Sequence, residues 1–201
     1  MIAAAVLVLL TILYRVVLGI GGSGNFEWLH NFSPMAAIAL CGAIYLPRRF
    51  ALSGPLLALL ISDVILNAHY IHAGLYQGSI FSLEMLPRYL ALGMTAGFGW
   101  LLRDNPRIGS VLGASLGASV LFFIISNTGS WFAEPAYANN AAGWVQANTS
   151  GLPGYPSVLV FFRNTVLSDL LFTGLFLVCI ARQRDQAGVP QPAARHELAQ
   201  W

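Results

Sequence analysis

Five ionisable residues stand inside or at the ends of long apolar runs: Arg15, Asp63, Arg88, Arg163 and Asp169. A charge at hydrocarbon depth costs about 2.5–3.5 kcal/mol on insertion scales, so each of these side chains needs a reason to be there. Three cations and two anions admit two chemistries. They could pair, Arg88 with Asp63 and Arg163 with Asp169, and only hold helices together. Alternatively they could line a polar cavity in which guanidinium groups offer donors to an anionic or carbonyl-rich ligand. The spans described below place Asn31, Tyr70, Asn127, Trp131 and Asn164 at the same level. The candidate substrate-binding set is therefore Asn31, Asp63, Tyr70, Arg88, Asn127, Trp131, Arg163, Asn164 and Asp169.

Other chemistries have less support. His69 and His72 are three apart with no third ligand in sight, which is weak for a metal. Cys41 and Cys179 lie in apolar runs and form no redox or metal spacing, as two small buried hydrophobes would. Ser126, Ser130 and Ser168 have no histidine beside them. There is no phosphate-binding glycine loop, hydrolase or kinase signature, or haem or iron–sulfur spacing. The expectation is a non-enzyme with no catalytic residues, no metal and no cofactor, drawing any energy from a gradient or another subunit.

The elements that must position these residues are membrane helices. Of the 201 residues, 57% are hydrophobic and only 9% charged, and the mean hydropathy is +0.68. A soluble domain carries about 25% charged residues. Net charge is +2 with no basic cluster, which argues against nucleic-acid binding. Apolar runs fall at residues 2–20, 35–46, 50–68, 85–102, 108–126 and 157–181. The first lacks a basic leader and a small-residue cleavage site, so it reads as a retained span. Arg48-Arg49, Arg103 with Arg107, and Arg182 with Arg184 then fall on alternate connections. Six spans place all of them on one side, which the positive-inside rule makes cytoplasmic; five or seven spans would divide them. The fold expected is an all-α integral membrane protein in the bacterial cytoplasmic (inner) membrane. It is a multi-pass six-transmembrane-helix bundle with both ends inside, over residues 1–182, and residues 183–201 form a short polar tail. The second run is short and must be extended, tilted or half re-entrant.

Packing signals lie in the small residues. Gly109, Gly113 and Gly117 recur every four residues, as do Ala39 and Ala43, and Gly93 and Gly97. Such faces let helix backbones approach closely, either within the chain or against a partner. The segments LISDVIL around Asp63 and VLSDLLF around Asp169 echo each other, as an inverted repeat would. The connections opposite the arginines are long and aromatic. SWFAEPAYA and GWV suit either interfacial anchoring or a lid over a cavity.

Several segments together resemble an uncharacterised bacterial family of putative membrane transport proteins. That family is similar to the substrate-binding S components of energy-coupling-factor vitamin transporters. The segments are NFSPMAAIAL (31–40), Ser62-Asp63, FFIISNTGSW (122–131), Tyr155-Pro156 and FFRNTVLSDLLF (161–172). The resemblance implies a six-helix, S-component-like domain that takes up a small vitamin-like molecule from outside. It also implies a transmembrane coupling subunit, docked through an Ala-x-x-x-Ala face that Ala39 and Ala43 match, and ATPases on separate chains. Cys41 departs from the bulkier residue expected there. It invites cobalamin binding through a membrane cysteine, but its cytoplasmic-side position argues against that. The alternative function is a non-transporting accessory or assembly subunit of a larger membrane complex, docked through Gly109, Gly113 and Gly117.

Overall fold

The computed structural model describes residues 2–21, 32–47 and 51–186. Among these the regular elements are helical: α1 (Ile2–Gly21), α2 (Met35–Tyr45), α3 (Ser53–His72), α4 (Leu86–Leu102), α5 (Ile108–Ala133), α6 (Ala141–Ala147) and α7 (Val158–Gln186). A 3-10 turn, Leu83–Met85, leads into α4, with Pro87 in its first turn. Among the described residues, three helices are long and apolar enough to cross a membrane: α3, α5 and α7 over Val158–Gln183.

Polarity in this fold runs from inside to outside. Leu57, Ile61, Leu90, Leu101, Leu116, Leu167, Leu171 and Val178 are exposed, while Ser62, Asp63, Thr95, Ser115, Ser119, Ser168, Asp169 and Thr173 are buried. Water would reverse this arrangement; lipid selects it, because hydrocarbon offers buried hydroxyls no partner but one another. Between α5 and α7 the buried hydroxyls form two rungs. Ser115 and Thr173 are 3.1 Å apart, and the Ser119 hydroxyl donates to Asp169 Oδ2 at 2.7 Å. Both pairs of positions are four apart, so one face of each helix supplies both rungs.

α5 is longer than the apolar run that announces it. Residues 127–133, expected in a loop, complete the helix. Ser126, Asn127 and Ser130 turn their side chains back to the carbonyls of Phe122, Phe123 and Ser126, a local bonding that lets polar residues remain helical away from water. α7 likewise continues past Arg182 to Gln186.

The short second run becomes the axle of the bundle. α2 has 11 residues, of which Met35–Ala37 and Ala39–Ile44 are buried, and it packs against α3, α4, α5 and α7. A helix surrounded on all sides needs small residues, which explains Ala36, Ala37, Ala39, Cys41, Gly42 and Ala43. At 1.5 Å per residue α2 is about 16 Å long, roughly half the hydrocarbon thickness. Its C-terminal end is held by Arg103, which donates from Nη1 to the Ala43 carbonyl at 2.9 Å. That bond satisfies one of the carbonyls a helix leaves open at its end and sets a cation on the negative pole.

Two packing expectations are corrected here. Ala39 and Ala43 are fully buried within the chain, so they are not available to dock a partner in this conformation. The residue that lets α4 close on α2 is Gly99, where an added Cβ would collide with the Leu40 carbonyl oxygen and Ala43 Cβ. Gly93 and Gly97 face open space. Gly109, Gly113 and Gly117 are exposed with open space beside them, because α5 buries the opposite face carrying Val111, Ser115, Ala118 and Ser119.

Gly99→Leu should therefore lower stability by at least about 1–3 kcal/mol, whereas Gly113→Leu should leave it unchanged. Thermal unfolding of the two variants in mild detergent measures the contrast. A tolerated Gly99→Leu would mean that α2 and α4 are not packed in this register.

Candidate functional site

Asp63 lies in the middle of α3 with only 2% of its surface exposed. An ionised carboxylate in that setting is costly unless it is paired and hydrogen-bonded. Two arginines supply the charge. Arg15 of α1 donates from Nη2 to Asp63 Oδ1 at 2.5 Å, and Arg88 of α4 brings its Nη2 to 3.7 Å from Oδ2. The first contact is a short charge-assisted hydrogen bond; the second is an ion pair beyond hydrogen-bond distance. Asp63 Oδ2, Arg15 Nε, Arg88 Nε and the Tyr89 hydroxyl are buried without a hydrogen-bond partner. A second latch runs beside the first, since the Tyr70 hydroxyl donates to the Gly19 carbonyl at 2.8 Å. Together they tie α1 to α3, the helix on which it chiefly packs.

Beside this cluster is a cavity of about 370 Å³. It exists because α2 is short. Phe32, Ser33, Met35 and Ala36, at the start of α2, form its floor, and the five longer helices rise past that level as its walls. Arg15 and Arg88 line it from α1 and α4, with Asp63 behind them. α5 contributes Phe122, Phe123, Ser126, Asn127 and Ser130, and α7 contributes Phe161, Thr165 and Asp169. A second space, of about 390 Å³, shares Ser130 and Phe161 with the first. It extends to Glu134, Tyr137 and Tyr155 in the α5–α7 connection. That connection is ordered by its own bonds. Trp131 Nε1 donates to the Ala138 carbonyl and Trp144 Nε1 to Thr128 Oγ1, both at 2.9 Å. Asn140 caps α6 by accepting from the Gly143 amide at 2.9 Å.

The residues expected at the site divide on this geometry. Arg88, Asn127 and Asp169 line the cavity, and Asp63 anchors its arginines. Asn164 is buried on α7 and accepts from Arg163. Tyr70 secures α1, and Trp131 secures the connection after α5; neither lines the cavity. Asn31, like Arg48 and Arg49, lies outside the described residues.

Arg163 is corrected. Its guanidinium donates to Asn164 Oδ1 at 3.3 and 3.2 Å and makes no ion pair with Asp169. Six residues separate Arg163 from Asp169, which is about 240° around an α-helix, so one side chain is exposed while the other faces inward. Asp169 has the Ser119 hydroxyl in place of an arginine, and the second arginine of the cluster, beside Arg88 at Asp63, is Arg15. It was visible as a charge interrupting the first apolar run, but nothing in the sequence said which carboxylate it would meet.

The two serine–aspartate echoes share a local structure. Ser62 donates to the Leu59 carbonyl at 3.0 Å and Ser168 to the Thr165 carbonyl at 2.9 Å, and both aspartates are 2% exposed. Their partners differ: Asp63 meets guanidiniums and Asp169 meets a hydroxyl. Among the described residues no group of His, Cys, Asp and Glu could hold a metal ion. Cys41 is buried in α2 and does not reach the cavity.

The inside-out polarity and the apolar helices define an α-helical membrane protein with a partly charged internal cavity. The chain belongs to a family of unknown function (DUF6580), which matches residues 1–190. No curated protein and no solved structure matches it.

Asp63→Asn should destabilise the protein by about 3–5 kcal/mol, because it leaves both guanidiniums without a counter-charge. Combining Arg15→Met with Asp63→Leu should recover most of that loss, since Arg88 is one-third exposed and can turn outward. Unfolding by detergent titration reads both effects. Wild-type stability in Asp63→Asn would show that the cluster holds nothing together.

Proposed function

We propose that the chain is a multi-pass membrane protein that binds and takes up a small molecule through an outward-facing polar cavity. In this reading α1, α3, α4, α5 and α7 cross the bacterial cytoplasmic membrane. α2 and the residues leading into it form a sixth passage, with α2 as its inner part. Arg103 and Arg107 then lie inside, with both chain ends, and the cavity opens to the exterior beneath the Trp131–Trp144 connection. The observation that carries the reading is the coincidence of a cavity with the only two ion pairs among the described residues. Pure scaffolding does not need an open space beside its charges. S-component-like uptake agrees with this reading, with energy supplied by a separate transmembrane coupling subunit and its ATPases.

A second reading is favoured by the exposed glycines of α5. An accessory subunit docked along Gly109, Gly113 and Gly117 would use the open groove that those residues leave.

Native mass spectrometry of protein released from mild detergent separates the two. Uptake predicts a retained small molecule that disappears in Ala36→Trp, which fills the cavity floor, while Gly113→Leu keeps it. Docking predicts a stoichiometric membrane partner that disappears in Gly113→Leu and is indifferent to Ala36→Trp. Loss of neither species in its own variant would remove the corresponding reading.

A further inference from the structure

The four formal charges around the cavity sum to zero, but they are unevenly placed: the Arg15–Arg88 side, opposite Asp169 on the α7 wall, carries a local positive surplus that identifies the charge of the ligand group meeting it. Two guanidiniums, Arg15 and Arg88, share one carboxylate, Asp63, leaving one positive charge in excess. The division is unequal. Arg15 holds Asp63 Oδ1 in a hydrogen bond at 2.5 Å, whereas Arg88 stands 3.7 Å from Oδ2 and donates nothing to it from Nη2. The Nε atoms of both arginines are buried away from the cavity, whereas the Arg88 side chain is about one-third exposed and its Nη2 makes no hydrogen bond to Asp63. Asp169 cannot supply the missing charge at contact distance. It belongs to the α7 wall, is bonded to Ser119, and pairs with neither arginine. A guanidinium surrounded by low-dielectric walls with unused donors is a site for an oxyanion.

The floor adds to the same potential. α2 begins at the cavity, where Met35 and Ala36 line it; the Met35 amide donates to the Ser33 hydroxyl at 3.4 Å, and the N-cap residue, Pro34, brings no side-chain acceptor of its own. The positive pole of the helix therefore faces the space in which the surplus arginine charge lies. The remaining lining is mixed: Ser33, Ser126, Asn127, Ser130 and Thr165 offer polar contacts, and the rest of the surface is largely the rings of Phe32, Phe122, Phe123 and Phe161. The rings suit an aromatic or broad apolar body. A second negative charge on the ligand has nothing to meet, because the surplus is one and the α7 wall carries Asp169.

We infer that the cavity takes a small organic monoanion. Its carboxylate or equivalent oxyanion sits on Arg88 and Arg15 above the start of α2, and its aromatic or apolar body lies among the phenylalanines. The inference rests on the cavity being a ligand site and adds the charge and body of what it takes.

A matched series tests it on the full chain in detergent: benzoate, benzamide and benzylamine, measured by calorimetric titration. Benzoate should bind about tenfold or more tightly than benzamide, the difference a charge-assisted bidentate contact makes, and benzylamine should not bind. Arg88→Gln should reduce benzoate binding to the level of benzamide, while Gln at the exposed Arg163 changes nothing. The wild-type series stands by itself if Arg88→Gln does not fold. Benzamide or benzylamine binding as tightly as benzoate, and lost in Ala36→Trp, overturns the charge assignment and leaves the cavity reading in place. Benzoate binding that persists in Ala36→Trp, or no binding by any of the three, overturns both.

Discussion

Asp63 is the residue around which this bundle is organised. A carboxylate buried in a helix that must sit in lipid cannot be left unpaired, and its two oxygens draw a cation from each of two other helices. Arg15 brings α1 and Arg88 brings α4, so one side chain joins three segments far apart in sequence. α1 depends on it most, because its packing is chiefly against α3. Apolar contact gives little orientation between helices in hydrocarbon, where lipid is as good a neighbour as leucine. Fixed polar contacts therefore carry the specificity: Arg15 to Asp63, Tyr70 to Gly19, Ser119 to Asp169, Ser115 to Thr173 and Arg103 to Ala43.

The cavity follows from a mismatch of lengths. Five helices of 17 to 29 residues surround one of 11. The short helix fills the bundle at the Arg103 end and leaves the other end hollow, with the charged cluster on the wall of the hollow. Small residues in α2 and Gly99 in α4 make the lower half close-packed. Phenylalanines and back-bonded serines line the upper half. Packing is thereby divided along the axis of the molecule: one end holds the helices in register and the other encloses the cavity.

Much of this was legible in particular residues. The apolar runs located the long helices, and the intramembrane charges marked Asp63, Arg88 and Asp169, all of which lie at or behind the cavity wall. Small-residue spacing was a poorer guide. Gly113 and Gly99 look alike in the sequence, yet one faces open space and the other meets a backbone carbonyl. Spacing says which residues share a helix face, not what lies against that face. Arg163 illustrates the opposite case. Its separation from Asp169 by six residues already places the two on different sides of α7, and helical geometry applied to the sequence excludes the pair. Asn127, Ser130 and Trp131 read as loop because polar residues usually end an apolar run. Side-chain bonds to the preceding turn keep Asn127 and Ser130 helical, while Trp131 donates forward to the Ala138 carbonyl.

The sequence by itself determined that this chain is helical and built for a membrane, and that a few charges had to find partners inside it. Those properties follow from composition and from the cost of burying charge, which are summed residue by residue. Only the tertiary structure decided that Arg15 meets Asp63, that α2 stops halfway, and that a cavity opens above it. Pairing and enclosed space depend on which helix faces lie against each other, and no single segment carries that information.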